Sequence, residues 1–195
     1  MSLPQGKVSV EEYEHYQEIS DDRLEFLNGT IVAMAGTTLE HEMIVMRLVR
    51  KISECLEKKG CTLVTGNMRM HSPECDKAFL YPDIHIYCGE VKTQKLKHGA
   101  YALTEPTLII EVFSDATRNY DKGDKFECYR KIKSLKNYIM IESDTKEKEA
   151  AVYVRNIENE KSFTEKVLGL EDILDILGCQ IEIKDIYGVS NYVIE

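Results

Sequence analysis

Apolar residues recur every fourth position between Leu39 and Lys58, at Ile44, Leu48, Ile52 and Leu56, with Val45 and Val49 beside them. That period puts one apolar stripe on a helix of about five turns, which Gly60 would end. Elsewhere the period drops to two. Asp83-Ile84-His85-Ile86-Tyr87 alternates behind Pro82, whereas Thr107-Leu108-Ile109-Ile110-Glu111-Val112-Phe113 is nearly continuous behind Pro106. The first reads as an alternating strand, the second as a strand buried on both faces. Arg23–Leu27 and Thr30–Ala35 flank Asn28-Gly29, a dipeptide suited to the positive φ angles of a tight turn, so an N-terminal β-hairpin is expected. Ser9-Val10-Glu11-Glu12 has capping-box spacing and predicts a short helix to about Glu18.

Weaker patterns complete the order. Short strands are expected at 62–64 and 67–70, loops at 71–80 and 90–105, and a helix over 115–133. Strands at 138–141 and 150–154, a helix at 171–177 and a strand at 180–183 follow. No repeat, low-complexity tract or linker interrupts them. The expectation is one mixed α/β domain of the α+β type over residues 1–195, with a mixed central sheet flanked by helices.

Composition changes this picture little. With 43% hydrophobic and 30% charged residues the chain is of ordinary globular type, not disordered. No apolar run approaches the roughly 20 residues that span a bilayer. Met1-Ser2-Leu3-Pro4-Gln5 lacks a basic patch followed by an apolar stretch, so no secretory leader is expected and the cytoplasm is the expected location. Cysteines stand at 55, 61, 75, 88, 128 and 179 without a Cys-x-x-Cys pair, which argues against structural zinc and for reduced, partly buried thiols.

Charge is more informative. A net charge of −9 argues against a surface that coats nucleic acid all over. A local basic face is still possible within it: residues 118–136 carry a net +4, and Lys92, Lys95 and Lys97 form a second cluster. The plainer reading of either run, preferred without other evidence, is a solvated helix face or loop.

Glu111 starts the chemical case. A glutamate inside a run of aliphatic and aromatic residues is costly to bury without a metal ion or a lysine to compensate it. Period-2 geometry places it with Thr107, Ile109 and Phe113 on one face. Asp83 begins its own strand, at a sheet end where sites of α/β folds commonly form. If the two strands are neighbours, both carboxylates can converge on a hard cation such as Mg²⁺. Asp121, Lys125 and Tyr129 share one helix face, and a lysine turned toward the carboxylates would orient the attacking water or offset charge in the transition state. Each part has a plain structural reading alone. Pro-Asp opens strands, Glu111 could pair with Arg118, and the helix series could be surface charge pairing.

In this order the residues resemble a known family. Pro82-Asp83, Glu111-Val112-Phe113-Ser114 and Asp121-x-x-x-Lys125-x-x-x-Tyr129 resemble the signature of the Uma-two family of putative restriction endonucleases, within the PD-(D/E)XK superfamily. The hairpin Arg23 to Val32, His41 at the start of the long helix and Asn137 to Ile141 are similar to further family elements. The resemblance implies a restriction-endonuclease-like core with a four-stranded mixed sheet, divalent metal at Asp83 and Glu111, and phosphodiester hydrolysis. It also suggests the Val112 carbonyl as a metal ligand, and Glu25 either as a further catalytic carboxylate or as a solvent-facing hairpin residue. The superfamily's usual lysine position is held by Phe113, so Lys125 from the next helix takes that role. His41 reads as a capping or packing residue.

The expectation is therefore a Mg²⁺-dependent (or Mn²⁺-dependent) endonuclease acting on DNA as a homodimer, its basic stretches on phosphates. Two rivals stand beside it. One is a catalytically silent module of the same fold that binds nucleic acid or protein, and the other a metal-dependent hydrolase of another phosphate substrate.

Overall fold

The computed structural model describes residues 3–34, 36–143 and 151–188. The expected hairpin end at Ala35 and strand start at Ala150 lie outside these residues, as do Met1 and Ser2. Helix α1 (Val10–Ile19) is closed by the predicted capping box, with Ser9 N–H donating to Glu12 at 2.7 Å and Glu12 N–H to Ser9 Oγ at 3.2 Å. Strands β1 (Leu24–Leu27) and β2 (Thr30–Ala33) form the hairpin around Asn28 and Gly29, both at positive φ. Helix α2 (Leu39–Lys58) matches the predicted span, and its stripe of Ile44, Val45, Leu48, Ile52 and Leu56 is buried. Truncating Leu48 to alanine there would cost about 2–5 kcal/mol.

The strands that follow are β3 (Cys61–Thr65), β4 (Met70–Ser72), β5 (Ala78–Leu80), β6 (Ile84–Cys88), β7 (Lys92–Lys95), β8 (Tyr101–Thr104) and β9 (Leu108–Phe113). A wide π-turn over Tyr120–Lys125 runs into α3 (Phe126–Tyr129). The chain continues through β10 (Asn137–Glu142), β11 (Val152–Asn159), β12 (Ser162–Leu168), β13 (Ile173–Ile176), β14 (Cys179–Glu182) and α4 (Ile183–Tyr187).

Among the described residues two six-stranded sheets and one two-stranded sheet result, in the orders β2-β1-β5-β4-β8-β7, β12-β11-β10-β9-β6-β3 and β13-β14. In the second sheet only β9 and β10 run parallel, so it is mixed. The fully buried β9 divides two cores. Leu108, Ile110 and Val112 face the α2 stripe and the β13–β14 hairpin. Ile109 and Phe113 face Leu27, Met70 and Leu80 of the first sheet, together with Phe126, Tyr129 and Tyr138. On the far side of the first sheet, Tyr13 of α1 packs on Leu24, Phe26 and Phe79. The alternation predicted for β9 is thus the partition between two cores, and Glu111 lies on the side that faces the first sheet.

Several expectations are corrected. Segments 71–80 and 90–105, expected as loops, supply β4, β5, β7 and β8. The β7 strand is an exposed edge of polar residues, which carries no apolar period to detect. The helix expected over 115–133 is present but shorter, a continuous run over residues 118–129 that widens to π winding at Tyr120–Lys125 before α3. Residues 171–177 contain a strand rather than a helix, because Leu174 and Ile176 alternate inward and Leu177-Gly178, both at positive φ, turn the chain back. The central sheet has six strands where the resemblance implied four, since β11 and β12 extend it. The cysteines are not free thiols: they pair as Cys55–Cys179, Cys61–Cys88 and Cys75–Cys128. Their partners are distant in sequence and opposed only in the fold, as Cys61 and Cys88 are across the β3–β6 register.

Candidate active site

Asp83 stands where the β6–β9 ladder stops. Register runs from Ile86↔Leu108 to Ile84↔Ile110. Beyond it Pro82 has no N–H to offer, and the Asp83 side chain takes over the pairing. Its Oδ2 accepts from Val112 N–H at 2.7 Å, and its own N–H donates to Glu111 Oε2 at 3.3 Å. On the other flank Gly66 N–H donates to the Asp83 carbonyl at 3.0 Å. The two strands expected to be neighbours are neighbours, and their carboxylates meet at the strand ends.

The π-turn brings the third group. It follows an α-type start, with Asp121 N–H donating to Thr117 O at 2.9 Å, and presents Asp121, Lys125 and then Tyr129 toward β9. Lys125 Nζ lies 3.1 Å from Glu111 Oε1, 3.2 Å from Glu25 Oε1 and 3.5 Å from Asp121 Oδ1. The Tyr129 hydroxyl donates to the same Glu111 oxygen at 2.8 Å. Glu25, reaching across from β1, accepts from Tyr81 N–H at 2.9 Å and from the Tyr120 hydroxyl at 3.2 Å.

His41, in the first turn of α2, completes the mouth with Nε2 3.1 Å from Asp83 Oδ1. It does cap-related work as expected, since its N–H donates to Thr38 Oγ1. Its ring, however, belongs to the site, which sequence reasoning undervalued. The available signal was its place at the start of the long helix. These groups line a cavity of about 230 Å³ that also includes Val112, Ser114 and Thr117.

The electrostatics are lopsided. Glu25, Glu111 and Asp121 are buried with Lys125, and Asp83 is nearly so. Four carboxylates face one lysine and one histidine. Burial pushes the Glu111 carboxyl well above its ordinary range; Lys125 opposes this, and the charges of Asp83, Asp121 and Glu25 add to it. Burial likewise raises Asp121. For Lys125, burial disfavours the ammonium, but Glu111, Glu25 and Asp121 outweigh it and hold the pKa well above the usual lysine value. His41 behaves alike: burial opposes its charge, and the hydrogen bond and charge of Asp83 raise its pKa on balance.

Among the described residues no three His, Cys, Asp or Glu side chains are already drawn together as a ligand set. The chemistry of the donors nevertheless fits a hard divalent cation, because carboxyl oxygens predominate among them. Asp83 and Glu111, side by side at the strand ends, could hold it. In a strand the carbonyl and N–H of one residue point to the same neighbour, so the Val112 carbonyl shares the Asp83 edge.

Other expectations fare differently. Arg118 pairs with Asp115 at 3.0 Å and with Glu142, and Glu111 takes Lys125 and Tyr129 instead. Much of the basic run is engaged internally: Arg130 pairs with Glu127 at 2.5 Å, and Lys122 lies over the Tyr153 ring. Lys92 pairs with Glu105 and Lys97 with Glu14. No helix among the described residues is long and apolar enough to cross a membrane.

A mixed sheet with an acidic, lysine-bearing cleft at its strand ends defines a nuclease-like α+β fold. A crystal structure described as a putative nuclease belonging to DUF820 from Anabaena variabilis ATCC 29413 superimposes with a TM-score of 0.68 at 14% identity, covering 89% of this chain and 96% of that one. The chain belongs to the Uma2 family, described as "Putative restriction endonuclease", whose model matches residues 10–182. Two relatives from Synechocystis sp. (strain ATCC 27184 / PCC 6803 / Kazusa) bear the names uncharacterized protein slr1290 and uncharacterized protein sll1609. The first is 27% identical over 146 residues, 75% of this chain and 74% of its own length. The second is 29% identical over 135 residues, 69% and 75% respectively.

Proposed function

We propose that this chain is a Mg²⁺-dependent endonuclease that hydrolyses DNA phosphodiester bonds, with Mn²⁺ able to substitute. The observation that carries the reading is the meeting of Lys125 with Glu111 and Glu25 beside Asp83 at one end of the sheet. Asp83, Glu111 and the Val112 carbonyl would hold the ion. When bound, the ion supplies Lewis-acid polarisation of the phosphate and lowers the pKa of a coordinated water. Lys125, kept charged by three carboxylates, positions the attacking water and offsets charge on the phosphoryl oxygens. Tyr129 fixes the rotamer of Glu111, and Glu25 holds the lysine from the opposite wall. His41 steadies Asp83 at the solvent edge. We further propose a single working domain and a homodimer suited to cutting two strands.

A second reading has one observation in its favour. Lys92, Lys97, Arg118 and Arg130 of the expected phosphate-binding stretches have internal carboxylate partners, which suits a smaller phosphate substrate better than a duplex. One panel separates the two: supercoiled plasmid, single-stranded DNA and mononucleotides with Mg²⁺ or Mn²⁺, for the native chain, Asp83→Ala and Lys125→Ala. Metal-dependent DNA cleavage lost in both variants is the expected outcome. Folded protein that cuts no nucleic acid and takes up no metal by calorimetry refutes the proposal. Cleavage that survives Asp83→Ala places the chemistry elsewhere.

A further inference from the structure

The segment that carries Lys125 has little to hold it in shape by itself. It is one helical run over residues 118–129, widened to π winding at Tyr120–Lys125, and a helix of that length is marginal without tertiary support. Yet it must aim Asp121, Lys125 and Tyr129 at Glu111. Two hydrogen bonds restrain it from the sheet side: the Tyr138 hydroxyl donates to the Asp121 carbonyl at 2.9 Å, and Arg155 to the Lys122 carbonyl at 2.9 Å. A covalent tie restrains it from the other side. Cys128, three residues beyond Lys125, is bonded to Cys75 in the turn between β4 and β5.

The position of this bridge is distinctive among the three. Cys61–Cys88 joins paired neighbours within one sheet, and Cys55–Cys179 joins α2 to the β13–β14 hairpin. Cys75–Cys128 connects the first sheet to the Lys125 segment. The active cleft is built across that same junction. Glu25 comes from β1, and Tyr81, whose N–H holds Glu25, follows directly after β5. The Lys125–Glu25 contact of 3.2 Å therefore spans the two walls that the bridge ties together. Both sulfurs are buried, each residue 1% exposed, in the core that also contains Tyr129, Phe126 and Leu27.

We infer that the Cys75–Cys128 bridge is a redox-sensitive clasp that positions Lys125, so that its reduction loosens residues 120–129 and disables cleavage while the rest of the fold persists. The cleavage part rests on the nuclease reading above; the clasp itself does not. Reduction by a dithiol transfers two electrons and two protons to the bridge: the S–S bond breaks, Cys75 and Cys128 become thiols, and the reagent closes to its own disulfide. Burial makes the bridge slow to reach, so opening of the segment accompanies reduction.

The test begins with the native chain. Non-reducing peptide mapping should recover all three bridges; a free Cys75 or Cys128 overturns the inference. Hydrogen exchange is then followed during a dithiothreitol titration with alkylation mapping. Exchange in 120–129 should rise about tenfold as the 75–128 bridge is lost, ahead of the α2 and β9 amides. The Cys75→Ser/Cys128→Ser chain should reproduce that pattern, and the Cys61→Ser/Cys88→Ser chain should not. Where cleavage is measurable, the first variant should lose about a hundredfold in kcat with KM little changed, as expected for a displaced catalytic group. Unchanged exchange in 120–129 after loss of the bridge refutes the clasp. Absence of cleavage in every form, with the exchange pattern intact, refutes only the nuclease reading.

Discussion

Replacing Lys125 by methionine removes the one buried cation from among three carboxylates while keeping a side chain of similar length. Each of its contacts, at 3.1, 3.2 and 3.5 Å, is worth about 5 kcal/mol in Coulomb terms at an effective dielectric of about 20. Most of that attraction only offsets the desolvation of four charged groups, so the measurable loss is far smaller. Removing one partner of a buried ion pair leaves uncompensated charge and costs about 3–5 kcal/mol. With a urea slope near 3 kcal/mol/M, the unfolding midpoint should fall by roughly 1 to 1.7 M. The loss should also depend on pH in a fixed direction. Burial already raises Glu111 and Asp121 above their unfolded values, and loss of Lys125 raises them further. A carboxyl with a raised folded pKa keeps its stability contribution below the unfolded value and loses it as pH climbs through the folded one. Lys125→Met should therefore be penalised more at pH 8 than at pH 5, and adding Glu25→Gln should recover part of the difference. Equilibrium denaturation of the four chains of that cycle at both pH values is the assay. A penalty below about 1 kcal/mol, or one that shrinks as pH rises, would refute the claim that Lys125 compensates these carboxylates.

Three further outcomes follow from the same geometry. Glu111→Gln keeps the shape of the side chain but removes its charge, so Mn²⁺ affinity measured by calorimetry should fall by about 10- to 100-fold and cleavage with it; unchanged affinity would mean the ion is held elsewhere. Cys61→Ser/Cys88→Ser opens a loop of 27 residues and should cost about 3–4 kcal/mol on the chain-entropy account, read as a lower midpoint in denaturant under non-reducing conditions. His71 is stacked on Phe79 with burial depressing its pKa despite the hydrogen bond to the Ala78 carbonyl. Its contribution to stability is thus full above the unfolded value near 6.5 and declines as pH falls below it. An NMR titration should place His71 below 6.5, and His71→Gln should flatten the loss of stability on acidification; a titration at or above 6.5 would contradict this.

How much of this was legible in the chain varies by element and for physical reasons. The α2 stripe, the Asn28-Gly29 hairpin and the Ser9–Glu12 cap are set by neighbours a few residues apart, and all three appear as expected. The strand of Glu111 was equally plain, because a charge inside a continuous apolar run has few explanations. Exposed edge strands such as β7 have no such signature, since their pairing partner alone makes them strands. The segment at 171–177 misled because its spacing suits a helix, and only the turn at Leu177-Gly178 and the pairing with β14 decide otherwise.

The site divides along the same line. By itself the sequence determined which groups were anomalous: Glu111 in its apolar strand, Asp83 behind a proline, Lys125 in register with Asp121 and Tyr129. Local periodicity carries that information. Only the tertiary structure decided what surrounds them, since Glu25 comes from another sheet, His41 from the mouth of α2, and Cys75 from a turn 53 residues from its partner. Contacts between residues so far apart are made by packing of separate layers, and no period in the chain records which layers will meet.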